Sequence, residues 1–258
     1  TEVDVDAGSD GKKVYIAGIL EHIEEAGIHS GDSACVIPPY TLNKTIIQQI
    51  EKQTTKLAIA LKVKGLINIQ FAVQNNDIYI IEANPRASRT VPFVAKATGI
   101  PIAKIAALIM LGQKISDFKL QKNQFKHIAV KESVFPFSKF DGSDIILGPE
   151  MKSTGEVMGI DTDFNSALYK ALISSGMAMP KEGTVLISVA DRDKDDVKEI
   201  VKELNKKGFN ILATEGTANL IKELGFEVSS IPKVFTGVHP NVVDVINHGL
   251  VDVVINTV

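Results

Sequence analysis

The chain has 258 residues, of which 45% are hydrophobic and 23% are charged, and its formal net charge is −3. This length fits one large or two modest globular domains, and the near-neutral charge argues against nonspecific binding to nucleic acid. The single cysteine, Cys35, excludes an internal disulfide, and no apolar run approaches the roughly 18 residues of a membrane span. We therefore expect a cytoplasmic protein that binds neither nucleic acid nor a membrane.

Strand-like sequence stands at both ends of the chain. Residues 2–6 alternate carboxylates with valine from the start, and the apolar run 251–258 reaches the last residue. Such patterns are typical of strands inside a domain. We therefore expect an excised fragment of a longer protein.

The first predicted unit is a β-hairpin. Its strands are residues 2–6 and 14–20, and the glycine-containing segment 8–13 forms the turn. Glu2 begins the first strand, where an exposed carboxylate is the simplest interpretation. Further along, residues 45–63 predict a long amphipathic helix, because apolar residues recur there mostly at helical spacing.

The polar loop 21–34 lies between the hairpin and the helix. Gly27 and Gly31 would let the backbone approach a ligand closely, although an ordinary connecting loop explains the same composition. A metal site is not expected in this loop, because His22 and His29 have no cysteine or histidine partner at ligand spacing.

A second hairpin is predicted over residues 66–84, with Asn75-Asn76-Asp77 as its loop. This loop places Gln70 opposite Glu82 and Asn68 opposite Asn84. Because side chains alternate between the faces of a strand, one face is predicted to be a core face. That face consists of Ile67, Ile69, Phe71, Val73, Tyr79 and Ile81.

The other face of this hairpin gathers oxygen-bearing side chains. Gln70, Glu82 and Asn84 converge there, and a few carboxylate and amide oxygens suit Mg²⁺ shared with phosphates. A solvated strand face is the alternative for the hairpin taken alone. Arg86 and Arg89 follow directly, and they favour a metal–phosphate site because arginine binds phosphate oxygens through paired hydrogen bonds.

These residues belong to a longer recognisable segment. The run Ile81-Glu82-Ala83-Asn84-Pro85-Arg86-Ala87-Ser88-Arg89, followed by residues 92–99, resembles the second ATP-grasp unit of the carbamoyl-phosphate synthase large subunit. Segment 153–159 resembles the end of that unit. The resemblance implies that Gln70, Glu82 and Asn84 hold Mg²⁺ or Mn²⁺ at the phosphates of ATP. It also implies that Arg86 and Arg89 stabilise the transferred phosphoryl group.

The same resemblance assigns roles to the loop 21–34 and its neighbours. It implies a nucleotide site that includes Glu2, Gly27, Ile28, His29 and Ser30, together with Gln70 and Glu82. It also implies a binding site for the effector ornithine at Glu24, Asp32 and Glu132. The front of the ATP-grasp unit lies outside these residues, so we expect the fragment by itself to be catalytically inactive.

The pattern changes in the last third of the chain. Residues 175–183 have the composition of a linker, and we place a domain boundary between residues 178 and 179. Beyond it strands alternate with helices, which predicts a parallel α/β sheet. The turn 214–218 links a strand end to a helix predicted to begin at Thr217. The free N–H groups at the start of this helix predict an anion-binding site at the turn. An ordinary helix cap is the alternative for this turn.

This second domain, residues 179–258, resembles the methylglyoxal-synthase-like regulatory domain that follows ATP-grasp in carbamoyl-phosphate synthases. The resemblance implies that a nucleoside monophosphate, UMP or IMP, binds at the turn. The matching positions are Lys194, Thr214, Thr217, Lys233 and Asn256. The expected fold is therefore the C-terminal half of an ATP-grasp domain, residues 1–178, of mixed α/β and α+β class, followed by a parallel-sheet α/β domain.

The resemblance implies an ATP-dependent ligase that phosphorylates carbamate in pyrimidine and arginine biosynthesis. Its partner would be a glutamine amidotransferase small subunit, and nucleotide effectors would regulate it. Two alternatives stay open: a non-catalytic regulatory or binding fragment, and another ATP-grasp carboxylate ligase such as a biotin-carboxylase-like enzyme. A true methylglyoxal synthase is disfavoured, because its acid and base candidates are scattered: Asp191, Asp193, His239 and His248.

Overall fold

A computed structural model of the chain describes residues 1–122, 125–140, 142–177 and 179–257. Thr1–Met177 and Ala178–Val258 form two compact units. The predicted domain boundary falls at residue 178, which lies outside the described residues.

A seven-stranded sheet organises the first unit, in the order β5-β4-β1-β2-β3-β6-β7. Every pairing in it is antiparallel. The strands are β1 (Glu2–Asp10), β2 (Val14–His22), β3 (Cys35–Ile37), β4 (Lys64–Gln74), β5 (Asp77–Asn84), β6 (Ile128–Val134) and β7 (Gly155–Asp161). The helices are α1 (Lys44–Ala60), α2 (Val91–Thr98), α3 (Ile102–Met110) and α4 (Phe164–Ser175).

Helix α1 covers the apolar face of the sheet's β1–β4 region. Its buried Ile46 and Ile50 pack in one cluster with Val5, Ile69 and Phe71. Because neighbouring residues of a strand face opposite sides, the residues between these apolar ones point to the other face. That face carries the polar residues Asp4, Asp6, Asn68 and Gln70.

The second hairpin has the predicted pairing at its base but not at its tip. The turn contains only Asn75 and Asn76, with φ of 53° and 69°, the conformation of a two-residue hairpin turn of type I′. The predicted three-residue loop is therefore wrong, and Asp77 pairs with Gln74. The extra residue is taken up in a bulge at Ile81, where the register shifts.

The bulge restores the predicted opposition of Gln70 with Glu82 and of Asn68 with Asn84, which is confirmed. The predicted core positions Tyr79 and Ile81 are wrong, since they are 53% and 49% exposed. Strand β5 is the edge of the sheet, and the bulge breaks the alternation that the prediction assumed.

The first hairpin is longer than predicted. Strand β1 continues to Asp10 and β2 begins at Val14, so the connection is residues 11–13 rather than 8–13. Among the described residues, no single helix is long and apolar enough to cross a membrane, although α2 and α3, bent by 115°, meet the two criteria together. Both of these helices contribute residues to a buried core cluster.

The second unit is built on a four-stranded sheet in the order β10-β9-β8-β11, and all its pairings are parallel. The predicted parallel α/β sheet is therefore confirmed. The strands are β8 (Thr184–Ser188), β9 (Asn210–Thr214), β10 (Ser229–Ile231) and β11 (Val253–Asn256), and the helices are α5 (Lys194–Lys206), α6 (Glu215–Glu223) and α7 (Val242–Asn247). Helix α6 begins at Glu215, two residues before the predicted start, because Thr214 already has the extended conformation of an N-cap.

Candidate functional site

Two rows of polar side chains cross three neighbouring strands of the first unit. In one row Asp4 pairs with Gln70, which pairs with Glu82. In the next row Asp6 pairs with Asn68, which pairs with Asn84. Paired residues point to the same face of a sheet, so the three predicted metal ligands lie together on the face opposite helix α1.

A cleft of about 160 Å³ opens on this polar face. Six of the predicted site residues line it: His29, Ser30, Gln70, Glu82, Arg86 and Arg89. The lining also includes seven residues that were not named as site residues: Asp4, Gly31, Asn68, Ser88, Thr90, Lys131 and Glu156. The cleft therefore joins the loop 21–34 to the second hairpin and to the segment that follows it.

The oxygen atoms of the predicted metal ligands fit a hard divalent cation. Gln70 Nε2 donates to Ser30 Oγ at 3.1 Å, and Asn84 Nδ2 donates to Glu82 Oε1 at 2.7 Å. Within the described residues no hydrogen bond occupies Gln70 Oε1, Asn84 Oδ1 or Glu82 Oε2. One carboxylate oxygen and two amide oxygens on adjacent strands suit Mg²⁺ or Mn²⁺ that keeps other positions for phosphates.

Arg86 and Arg89 have no carboxylate partner within 4 Å in the described parts of the chain. Arg86 Nη1 donates to the carbonyl oxygen of Ala87 at 3.0 Å, and Arg89 Nη1 contacts the sulfur of Met151. Gly31 packs close by: a Cβ added there would lie 3.2 Å from Arg89 Nη1 and 3.1 Å from His29 Nδ1. Both guanidinium groups thus stay available for an anion.

Asp6 anchors the segment that carries Arg89. Its carboxylate, 1% exposed, accepts hydrogen bonds from Asn68 Nδ2 at 3.0 Å, Ser88 Oγ at 2.7 Å and Thr90 Oγ1 at 2.5 Å. Burial raises the pKa of Asp6, and the three hydrogen bonds only partly oppose that rise. Since Ser88 and Thr90 flank Arg89, these bonds fix the backbone from which the Arg89 side chain extends.

His22 lies between two carboxylates of β1. Its Nε2 is 3.1 Å from Asp4 Oδ2 and its Nδ1 is 3.6 Å from Glu2 Oε2. Burial acts to lower the pKa of His22, but the neighbouring Cys35 sulfur and the Asp4 carboxylate raise it, to about 11. Glu2 also accepts a hydrogen bond from Gly27 N at 2.9 Å. His22 Nδ1 thus faces the carboxylate of Glu2, the predicted nucleotide ligand, but has no hydrogen-bond partner in the described part of the chain.

The predicted nucleotide loop is held in shape by hydrogen bonds within the loop and by one to Gly148. Gly27 has φ of 104°, a conformation that favours glycine. His29 N donates to Gly148 O at 2.8 Å, and His29 Nδ1 accepts from Gly31 N at 3.0 Å. Ile28 is half-buried in the same loop. Of this group only His29 and Ser30 line the cleft, whereas Glu2, Gly27 and Ile28 lie outside its lining.

The three acids of the predicted ornithine site differ in their hydrogen bonding and in the direction of their pKa shifts. Although burial acts to raise the pKa of Asp32, hydrogen bonds with Ser153 and Lys152 hold it below its usual range; both backbone N–H groups donate at 2.8 Å. Burial raises the pKa of Glu24, and the nearby charge of Glu132 adds to that rise. Glu24 Oε2 is buried and, among the described residues, has no hydrogen-bond partner. Glu24 and Glu132 are thus brought together, while Asp32 is engaged in binding segment 152–153.

The second unit gathers the cationic members of the predicted effector site near α6. Lys233 lines a cleft of about 570 Å³ together with Glu215 and Gly216 at the helix start. Lys194 Nζ lies next to Gly216 and pairs with Asp191 Oδ1 at 2.7 Å. The two lysines therefore lie at the N-terminus of α6, where the first backbone N–H groups have no partner in the helix.

The hydroxyl groups of this predicted effector site are inside the unit. Thr214 and Thr217 are 2% and 1% exposed. Thr214 Oγ1 donates to Ser188 Oγ and Thr217 Oγ1 accepts from Val189 N, each at 3.4 Å. Asn256 ends β11 opposite Ser188 and is exposed. The threonines thus lie beneath the turn, in long hydrogen bonds that a bound anion could replace.

Sequence reasoning missed several residues of the first site. The alternation of Glu2, Asp4 and Asp6 with valines was a usable signal, because it places all three carboxylates on one face of β1. The interpretation used only Glu2. Lys131 and Glu156 gave no local signal, because they reach the cleft through the pairing of β6 with β7, which the sequence pattern does not specify.

Comparisons with known proteins match both units of the chain to described families. Residues 1–118 match the family model described as "Carbamoyl-phosphate synthase L chain, ATP binding domain", and residues 196–258 match the "MGS-like domain". The chain is 55% identical to the "Carbamoyl phosphate synthase large chain" of Archaeoglobus fulgidus, over 99% of this chain and 24% of that protein. It is 52% identical to the "Carbamoyl phosphate synthase large chain, C-terminal section" of Aquifex aeolicus, over 99% of this chain and 51% of that protein.

The chain thus spans between a quarter and about half of the length of these relatives. Among solved structures, a "Biotin Carboxylase domain of single-chain bacterial carboxylase" is similar in fold, with a TM-score of 0.52 at 17% identity over 69% of this chain and 46% of that chain. The predicted fold class, part of an ATP-grasp domain followed by a methylglyoxal-synthase-like domain, is confirmed. The chain belongs to the family of carbamoyl phosphate synthase large chains.

Proposed function

We propose that these residues form the C-terminal part of a large chain that phosphorylates carbamate with ATP to give carbamoyl phosphate. The observation that carries the proposal is the cleft, in which Gln70 and Glu82 are paired across two strands while Arg86 and Arg89 extend from the segment just beyond. Oxygen atoms suited to a metal, beside two guanidinium groups that have no carboxylate partner among the described residues, favour phosphoryl transfer, which depends on positioning and charge neutralisation.

Each group of residues has a separate task in this proposal. Gln70, Glu82 and Asn84 hold Mg²⁺ or Mn²⁺, which when bound neutralises charge on the phosphates of ATP. Arg86 and Arg89 bind the oxygens of the transferred phosphoryl group. A carbamate oxygen forms the new bond to the γ-phosphorus, and the bond from that phosphorus to the bridging oxygen breaks. ADP leaves with the electron pair, and no proton moves.

The experiment is the reverse reaction in the full-length large chain. With Mg²⁺, ADP and carbamoyl phosphate, the enzyme should form ATP. A second candidate is a biotin-carboxylase-like ligase, favoured by the shared fold and disfavoured by the attached MGS-like domain. ATP hydrolysis that depends on bicarbonate and biotin, without ATP formation from carbamoyl phosphate, would replace our proposal with this candidate.

The proposal also assigns the full protein a partner subunit and a place in metabolism. A glutamine amidotransferase small subunit supplies ammonia, and the product enters pyrimidine and arginine biosynthesis in the cytoplasm. The 258-residue chain by itself is inactive, because its relatives use a polypeptide two to four times as long.

We also propose that the second unit binds a nucleoside monophosphate, UMP or IMP, at the N-terminus of α6. Lys194 and Lys233 supply positive charge there, and the N–H groups of the first helical turn donate hydrogen bonds to the phosphate. Thr214, Thr217 and Asn256 complete the site. The supporting observation is that Lys233 shares its cleft with Gly216, beside which Lys194 Nζ lies.

Lys233→Ala should weaken nucleotide binding by about tenfold or more, because a charge-assisted hydrogen bond contributes roughly 1.5–3 kcal/mol. Titration calorimetry of the full-length large chain with UMP and with IMP measures the change. Lys222→Ala is the matched control, since Lys222 is exposed near the other end of α6. Equal affinities in wild type and Lys233→Ala would place the nucleotide site elsewhere.

Finally, we propose that Glu24 and Glu132, with Asp32, bind the cationic amino groups of ornithine. The support is a buried Glu24 oxygen that has no hydrogen-bond partner in the described ranges, together with the charge of Glu132, which acts on Glu24. Two buried carboxylates destabilise the folded chain when no cation is bound between them, and a cationic ligand would remove that repulsion.

Glu24→Gln should therefore stabilise the ligand-free chain at pH 7 and abolish ornithine binding. The folded-state pKa of Glu24 is raised above 4.5, so the stability linked to its protonation is present at low pH and is lost as pH rises through the folded pKa. The variant should therefore be more stable than wild type near neutral pH. The difference in stability should vanish below about pH 4.5, where Glu24 is itself neutral. Thermal unfolding of both proteins between pH 4 and pH 8 gives the comparison. A variant less stable than wild type at pH 7 would contradict this account of Glu24.

A further inference from the structure

Lys131 is a buried cation that the roles described above leave unused. Its side chain lines the same cleft as Gln70 and Glu82, and the residue is only 1% exposed. It lies on β6, where it pairs with Cys35 of β3 and Met158 of β7. Lysine is rarely buried to this degree unless it has a charged partner.

The contacts of Lys131 are with neutral atoms. Its Nζ donates to the carbonyl oxygen of Ser30 at 3.3 Å and lies 3.5 Å from Ser133 Oγ. Across the described ranges, no carboxylate oxygen lies within 4 Å of Nζ. The carboxylates of Glu24, Glu132 and Glu156 interact with Lys131 only from beyond that distance. A buried ammonium group with only two long, neutral hydrogen bonds is costly. An anion in the cleft would supply a direct partner.

Ser30 connects Lys131 to the predicted metal ligands. Its carbonyl oxygen accepts from Lys131, and its hydroxyl accepts from Gln70 Nε2 at 3.1 Å. One residue therefore separates the ammonium group from a metal ligand. Arg89 and the half-buried Glu156 line the same cleft, so an anion at Lys131 would lie beside the phosphates that Arg89 is proposed to bind.

We propose that Lys131 binds the acceptor anion of the phosphoryl transfer and holds it next to the γ-phosphate. This inference rests on the proposed function and names the residue that binds the acceptor. The acceptor is a planar carboxylate-type anion with an amino group: Lys131 binds an oxygen, and Glu156 accepts a hydrogen bond from the amino group. The positive charge of Lys131 offsets the repulsion between acceptor and triphosphate.

The test uses Lys131→Met in the full-length large chain, which removes the charge while keeping most of the side chain's length. In ATP formation from ADP and carbamoyl phosphate, the KM for carbamoyl phosphate should rise by about tenfold or more. The KM for ADP should stay within about twofold of wild type, because Lys131 is not assigned to the nucleotide. Lys131→Arg, which keeps the positive charge, should recover part of the loss.

Lys104→Met is the matched control, since Lys104 is an exposed lysine on α3, and its KM values should equal those of wild type. An unchanged KM for carbamoyl phosphate in folded Lys131→Met would overturn the inference, as would an equal rise in both KM values. If the methionine variant does not fold, Lys131→Gln gives the same comparison. Absence of ATP formation in wild type overturns the proposed function itself. Activity that is lost in Glu82→Gln but unchanged in Lys131→Met overturns the role of Lys131 alone.

Discussion

Glu82→Gln in the full-length large chain should reduce ATP formation from ADP and carbamoyl phosphate by roughly a thousandfold, which corresponds to about 4 kcal/mol of transition-state stabilisation. Glu82 is the one carboxylate among the three predicted metal ligands, so its loss removes the anionic contact to Mg²⁺. Because the side chain is exposed and the glutamine has the same shape, the thermal unfolding midpoint should not change.

The control for this prediction is Glu227→Gln, a change of the same charge at an exposed position of the second unit. Steady-state rates over a range of Mg²⁺ concentrations separate the two possible origins of a loss. If excess Mg²⁺ restores the rate of Glu82→Gln, the carboxylate contributes to metal affinity alone. Wild-type turnover at all Mg²⁺ concentrations would contradict the assignment of Glu82 as a metal ligand.

Asp6→Ala should lower the free energy of unfolding of the first unit by at least about 3 kcal/mol. The substitution removes the common acceptor of Asn68, Ser88 and Thr90. Asn68 and Thr90 are 3% and 4% exposed, so their polar groups cannot turn to bulk water. Each buried group left without a partner costs about 1–3 kcal/mol.

Urea unfolding followed by tyrosine fluorescence measures this change in the 258-residue chain. The chain has no tryptophan and four tyrosines, and all four belong to the first unit: Tyr15, Tyr40, Tyr79 and Tyr169. The signal therefore reports that unit. Asp6→Asn, which keeps the shape and one acceptor oxygen, should lose less stability. Asp77→Ala, at an exposed position in the described hairpin, should change it by less than about 0.5 kcal/mol. A similarly small effect of Asp6→Ala would show that Asp6 does not anchor the segment.

Local patterns in the sequence were enough for most elements of the fold. Alternation and turn residues predicted both hairpins, and the strand–helix alternation predicted the parallel sheet of the second unit. The errors in the second hairpin come from the predicted length of its turn. Asn75 and Asn76 can both adopt positive φ, which permits a two-residue turn and moves the extra residue into a bulge at Ile81. A bulge leaves no mark in the composition of a strand.

The sequence predicts the proximity of candidate site residues where they are close along the chain. Gln70, Glu82 and Asn84 belong to one hairpin, so their proximity follows from its pairing. Asp6 binds three residues of the cleft lining, and Lys131 lines the cleft itself. Neither could be placed in the same way, because strands β1 and β6 are far apart in the chain. Both side chains are buried, whereas the residue types Asp and Lys predict exposure. Their burial depends on tertiary packing, which the local sequence does not specify.

We propose that Gln70, Glu82 and Asn84 hold a divalent cation at the phosphates of a nucleotide. Electron paramagnetic resonance of free Mn²⁺ in the presence of ADP counts the ions bound by the full-length large chain. We expect fewer bound Mn²⁺ ions per chain in Glu82→Gln than in wild type, and no change in Glu227→Gln. Equal numbers of bound Mn²⁺ ions with equal affinities in wild type and Glu82→Gln would contradict the claim.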